Sequence, residues 1–228
     1  MPKIEPFERH APAYDAWFDA HPWAFRSEVE ALGRFWPRGC EGLEVGVGSG
    51  RYAQALGIHR GVEPSAAMRE LARRRGIEVV DGVAESLPFE DGRFDAVLMV
   101  TTLCFLDDPH RALAECRRVL KPAGLLVTGF VDARSELGIR YEARRGESRF
   151  YGEARFWSVP EVVGALTRAG FTAIRILQTL FRPPEELRAL EPVKTGYGEG
   201  AFVVVAGRAA GSPGDVPSPL RADGGSPR

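Results

Sequence analysis

Cysteine is scarce in this chain, and the little there is lies scattered. Cys40, Cys104 and Cys116 form an odd set without metal-ligand spacing, which argues against a disulfide framework and against a bound metal. Lysine is rarer in proportion: Lys3, Lys121 and Lys194 are the only lysines among 30 basic residues, a bias read as genome composition rather than mechanism. An excess of one charge is missing too. Thirty basic residues face 31 acidic ones, and a formal net charge of -1 gives no bulk attraction to nucleic acid or to an anionic membrane. No apolar run reaches the roughly 18 residues that span a bilayer, and the N-terminus lacks a signal-peptide core. The expectation is a cytoplasmic protein without nucleic-acid or membrane partners, its oligomeric state open. At 228 residues it fits one domain with a full-sized core and an added cap.

What is present is an alternation of strand and helix signals. Residues from about Pro6 to Phe35 read as helices, with aromatic residues crowding the first part. Leu43–Val47 reads as strand, Ser49–Leu56 as helix and Ile58–Val62 as strand. Ser65 is placed to cap a helix over Ala66–Arg75, and strands follow at Ile77–Val80 and Phe94–Val100. Pro109–Leu120 is an amphipathic helix closed by Pro122 and Gly124, and Leu125–Val131 is a buried strand. Such a series predicts an α/β fold with a doubly wound, mostly parallel seven-stranded sheet. The pattern is lost from Asp132 to Phe156, a stretch dense in Arg and Glu that reads as a cap at the end of strand five. Ser158 and Glu161 make a capping box for a helix through Ala169, and strands are expected at Phe171–Leu180 and Ala201–Val205. The domain is thus placed at residues 1–208, with caps at 1–36 and 132–156, and 209–228 reads as a disordered tail rich in Gly, Pro and Ser.

The chemistry concentrates in Leu43-Glu44-Val45-Gly46-Val47-Gly48-Ser49-Gly50, a short strand running into a glycine-rich turn. Glycines at alternate positions remove side chains where backbone must approach a ligand or turn with positive φ. About 20 residues on, the second strand ends in Glu63-Pro64, where a carboxylate is placed to take both hydroxyls of a ribose. Together they describe a nucleoside cofactor lying across the carboxyl ends of two parallel strands. The dinucleotide fingerprint GxGxxG needs glycine at 51, where this chain has Arg51, and GxxxxGK[ST] is absent.

The remaining pattern, E-x-G-x-G-x-G, resembles the first motif of class I S-adenosylmethionine-dependent methyltransferases. Gly82-Val83-Ala84-Glu85-Ser86-Leu87-Pro88-Phe89 resembles the G-D-A-E-x-L-P-F of their ubiquinone-biosynthesis-like small-molecule branch. Gly92-Arg93-Phe94-Asp95-Ala96-Val97 is similar to its G-x-F-D-x-V, and Glu115 to Gly124 to its E-x-x-R-V-L-K-P-G-G. The resemblance covers roughly residues 40 to 130. It implies S-adenosylmethionine as cofactor, held by Glu44, Gly46, Gly48, Gly50, Glu63, Pro64, Val83, Ala84, Glu85 and Thr101, with Glu44 on the cofactor's ammonium or serving as a cap on the next helix. Val83 stands where the family has an adenine-binding acid, leaving Asp81 or Glu85 as alternatives.

The implied reaction is in-line methyl transfer to a small-molecule acceptor. It needs alignment and exclusion of water, and a general base only for a protonated acceptor. Candidates for that base are His10, Tyr14, His21, Cys104, Tyr141 and Tyr151, with Tyr14, Tyr141 and Tyr151 expected to line an acceptor pocket under the two caps. The arginines of the 132–156 cap suggest an anionic head group or simple solvation. The alternatives are an S-adenosylmethionine-binding accessory or regulatory protein, and an NAD-dependent oxidoreductase disfavoured by Arg51.

Overall fold

A computed structural model of the chain describes residues 3–210. Two helices, α1 (Glu5–Ala20) and α2 (Pro22–Gly33), precede the first strand, β1 (Gly42–Val45). Then follow α3 (Arg51–Leu56), β2 (Arg60–Val62), α4 (Ala66–Arg74), β3 (Glu78–Val80), β4 (Phe94–Val100), α5 (Pro109–Val119) and β5 (Leu120–Val131). The remainder is α6 (Glu136–Ala143), α7 (Val159–Arg168), β6 (Phe171–Thr179), β7 (Lys194–Thr195) and β8 (Phe202–Ala209).

The strands form one sheet in the order β3-β2-β1-β4-β5-β8-β6-β7. The ladders from β3 to β5 are parallel, and those joining β8 to β5, β6 to β8 and β7 to β6 are antiparallel. The sheet has one strand more than the seven expected, because the Pro/Gly-containing connection after β6 contributes the two-residue β7. Ala209 pairs with Phe171 and closes β8, so the tail does not begin there; the rest of its expected span, 211–228, lies outside the described residues.

Both faces of the central strands are buried, which accounts for their nearly continuous apolar runs. In β4, Val97 and Met99 join the core formed with α5 and α7, while Ala96, Leu98 and Val100 join the core formed with α2, α3 and α4. The same two-residue alternation splits Val203 and Val205 from Phe202, Val204 and Ala206 in β8. The expected caps form as well. Ser65 Oγ accepts from the Met68 N–H at 3.3 Å, and Ser158 and Glu161 complete the capping box on α7.

Two irregularities shape the region above the sheet. Helix α1 kinks at His10, ahead of Pro12, which takes a donor out of the helix and crowds the carbonyl four residues back. The excursion after β5, expected to lack a pattern, folds into α6 behind an N-cap in which Ser135 Oγ accepts from Gly138 N–H at 3.0 Å. Phe150, in the loop that follows, stacks on Phe7 at 5.8 Å and meets Tyr14 edge-on at 5.5 Å, so the two cap segments touch through their rings.

Candidate active site

Strand order reverses at β1, which has β2 on one side and β4 on the other, and in open α/β sheets ligands bind outside the strand ends at such a switch point. A cleft opens there. Gly46, Gly48, Glu63, Pro64, Val83, Ala84, Glu85 and Thr101 of the predicted set line it. Gly46 has φ 70°, and a Cβ there would strike the Thr102 side chain at 2.6 Å. Gly48 has φ 53°, and a Cβ would meet nothing within 4 Å, so it would stand in the open cleft. These two glycines thus answer different needs, close approach of β1 to β4 and bare backbone toward a ligand. Gly50 answers a third: it does not line the cleft but packs on Ala72 of α4, where a Cβ would come within 3.1 Å, with φ 83° at the N-cap of α3.

Glu63 is 7 % exposed at the end of β2. One carboxylate oxygen accepts from Gly48 N–H and the other from Ser65 N–H, each at 3.0 Å. Each oxygen retains a free lone-pair direction, so the side chain is held in place and still able to accept from a diol. Burial raises its pKa, against the pull of those two bonds. Glu44 is buried beneath the turn. Its carboxyl takes the Ala53 N–H of α3, as the helix-capping alternative expects, while Oε2 has no partner among the described residues. Burial holds it well above the usual carboxylate range. Asp81 is drawn away to Arg69 at 2.8 Å, and Glu85 Oε1 accepts from the Asp107 and Asp108 N–H groups at 3.1 and 3.2 Å.

A second chamber adjoins the cleft. Tyr14 and Thr101 line both spaces. Tyr141 and Tyr151 line the second one, together with Trp17, Phe18, Tyr52, Phe150 and a buried acid, Glu28. Thr101 is held at φ 50°, a costly conformation for a β-branched residue and one that collects at functional sites. Of the remaining candidates, His21 caps α1 through a 3.0 Å contact of Nδ1 with Trp17 O, and His10 meets Phe150 edge-on; neither lines the chamber. Cys104 donates to Thr101 O at 3.2 Å, and burial pushes its thiol up to about 12. Burial also raises Tyr14, Tyr141 and Tyr151, so none of the three is a ready base near neutral pH. The cap arginines do not line the chamber. Arg140 pairs with Glu185, Arg145 with Glu142 and Arg155 with Glu161.

Sequence reasoning missed Glu28, which is 5 % exposed and accepts from the Tyr52 hydroxyl through Oε2. The signal was present: Glu28 falls on the buried stripe of α2 with Ala24, Ala31 and Leu32, where an acid has no reason to be unless something meets it. Missed as well was the latch on α1. Arg51 reaches Asp15 at 2.9 Å and Asp19 at 2.7 Å, while Arg75 joins Asp15 at 2.7 Å and Ser49 O at 2.8 Å. Glu8 adds a bond from Ser65 Oγ at 2.6 Å. The residue that breaks the dinucleotide fingerprint thus fastens the N-terminal cap to the glycine turn.

Comparison with known proteins agrees with this geometry. The family described as a methyltransferase domain matches residues 43–128. A solved structure from Thermotoga maritima, described as a SAM-dependent methyltransferase and possible histamine N-methyltransferase, is 49% identical with a TM-score of 0.89, over 90% of this chain and 99% of that one. An uncharacterized protein of Methanocaldococcus jannaschii is 42% identical over 199 residues, 87% of this chain and 96% of its own length. The malonyl-[acyl-carrier protein] O-methyltransferase of Geobacter sulfurreducens is 33% identical over 181 residues, 68% of this chain and 66% of the relative. The chain belongs to the S-adenosylmethionine-dependent methyltransferases, and its cofactor is S-adenosylmethionine. The residues present fit that group: bare backbone at Gly48, a fixed carboxylate at Glu63 and an orphaned buried oxygen on Glu44.

Proposed function

We propose that the chain methylates a small molecule held in the aromatic chamber, with the cofactor in the cleft between β1 and β2. The observation that carries this reading is the meeting of the two spaces at Tyr14 and Thr101. Bound S-adenosylmethionine supplies a methyl group already activated by its sulfonium. Glu63 is assigned to the ribose hydroxyls, Gly46 and Gly48 to close backbone approach, Glu44 to the ammonium, and Val83 and Ala84 to the adenine. The protein's part is then to orient the acceptor and exclude water. The N-terminal helices and the excursion after β5 serve as the cover, supported by the rings of Phe7, Tyr14 and Phe150 that join them. The motifs from Gly82 to Gly124 favour the ubiquinone-biosynthesis-like branch. The description of the Thermotoga neighbour names histamine, a small aromatic amine, and an acceptor of that size suits this chamber.

Isothermal titration with S-adenosylhomocysteine tests the cofactor assignment. Micromolar binding, about -7 to -8 kcal/mol, is expected. No heat with S-adenosylhomocysteine, and binding of NAD instead, would reject it.

A further inference from the structure

We infer that Glu28 selects the acceptor by charge: the aromatic chamber takes a small molecule carrying a protonated amine, placed against the Glu28 carboxyl with its apolar body among the rings. This rests on the proposed methyl transfer for taking the chamber as the acceptor site.

Three features of the chamber point the same way. Glu28 lines it, yet the carboxyl receives only the Tyr52 hydroxyl, and no Arg, Lys or His pairs with it among the described residues. A buried carboxylate with one neutral donor is costly, and a cation entering the chamber removes that cost. The surrounding rings, from Tyr14, Trp17, Phe18, Tyr141, Phe150 and Tyr151, offer π faces that attract cations and repel anions. The arginines of the nearby cap, which an anionic acceptor would need, are paired elsewhere or do not line the space.

The charge of the chamber depends on pH through one group. Burial moves the Glu28 carboxyl up to about 7, with the bond from Tyr52 pulling the other way. The titratable groups facing it are Tyr14 from α1, Tyr52 from α3, Tyr141 from α6 and Tyr151 from the loop beyond. All four phenols are raised by burial and stay neutral across the range in which Glu28 ionises. Behind Tyr141, Arg140 and Glu185 neutralise each other at 3.0 Å. Affinity for a cation therefore rises with pH as Glu28 loses its proton.

The test uses the full chain saturated with S-adenosylhomocysteine, titrated with 2-phenylethylamine and with uncharged 2-phenylethanol at pH 6 and pH 8. At pH 8 the amine is expected to bind at least about tenfold more tightly than the alcohol, as a charge-paired cation among aromatic rings should. At pH 6 the preference shrinks, and amine binding releases protons to the buffer. In Glu28→Gln, an isosteric change, the preference falls to within about twofold and its pH dependence disappears. Equal binding of the two compounds, no amine binding, or a preference that survives Glu28→Gln overturns the inference. Should that variant not fold, Tyr52→Phe retains the charge and removes its hydrogen bond. It keeps the preference and moves its pH midpoint upward; an unmoved midpoint or a lost preference counts against Glu28. Binding of S-adenosylhomocysteine is read first on the same sample, so failure of the cofactor assignment is distinct from failure of charge selection.

Discussion

The cleft between β1 and β2 is built on short stretches at the strand ends, with Lys3, Ile4, Phe7 and Tyr14 of the N-terminal segment beside them, whereas the chamber beyond Thr101 is walled by side chains from widely separated segments. In the cleft, Gly46, Gly48, Glu63 and Pro64 come from two neighbouring strand ends, and Gly82 to Glu85 from a third. In the chamber, α1 supplies three side chains and the excursion after β5 four, while α2, α3, the end of β4 and the connection after β6 each supply one or two. A site built on strand ends suits a ligand that stays the same, because its geometry follows from the fold. A site built from side chains on cap elements suits a ligand that differs between relatives, since those walls change without disturbing the sheet.

The sharpest way to break the comparison is at Glu63. Glu63→Ala is expected to weaken S-adenosylhomocysteine binding by about 2–3 kcal/mol, since bonds from the ribose to a charged group are lost. Because Glu63 also holds the Gly48 and Ser65 N–H groups, the variant melts at a somewhat lower temperature as well. Unchanged affinity by titration calorimetry would remove Glu63 from the cofactor site.

The chamber predicts an opposite response, a gain in stability on removing its charge. The Glu28 carboxyl stands at about 7 in the folded chain against 4.5 as its ordinary value, so the folded state keeps a proton that the unfolded state has released. Stability therefore falls as pH rises from about 4.5 to 7, and the deficit is complete above that. Glu28→Gln is expected to melt several degrees above the parent at pH 8 and close to it at pH 4. A variant less stable than the parent at pH 8 would make Glu28 a structural group rather than a functional one.

A smaller effect separates the latch from both spaces. Burial raises Asp15, but hydrogen bonds from Arg51, Ser49 and Arg75 outweigh it and bring the carboxyl down to about 2. A lowered acid stabilises the fold above its unfolded value, 3.8, and that stability is lost as pH falls through about 2. Asp15→Asn is expected to lower the melting temperature by a few degrees at pH 7, with the gap closing between about pH 4 and 2. Hydrogen exchange should quicken in α1 and not in the core strands. A gap that stays constant with pH would show that the latch charge contributes nothing.

The glycine turn, the acid at the end of the second strand, the succession of the first five strands along the chain and the caps Ser65 and Ser158 were legible because each depends on a few adjacent residues. Periodicity and turn chemistry act over a handful of positions, and the chain carries them in linear order. The short β7 was not legible, since a two-residue strand is created by its neighbour β6 rather than by its own pattern. Nor was α6, where Arg140 and two glutamates within eight residues hide a short helix.

The amino-acid sequence by itself determined seven of the eight strands, the glycine turn and a nucleoside site, because strand alternation and glycine freedom are local properties of the backbone. Its family resemblance pointed to the cofactor. Only the tertiary structure decided that Gly50 serves packing while Gly48 faces the cleft, and that Arg51 closes a latch on Asp15 and Asp19. It also set Glu28 on α2 beside Tyr52 of α3 and among rings from α1 and the loop after α6. Those relations join residues far apart in the chain, and what fixes them is the packing of the caps over the sheet, which no local pattern encodes.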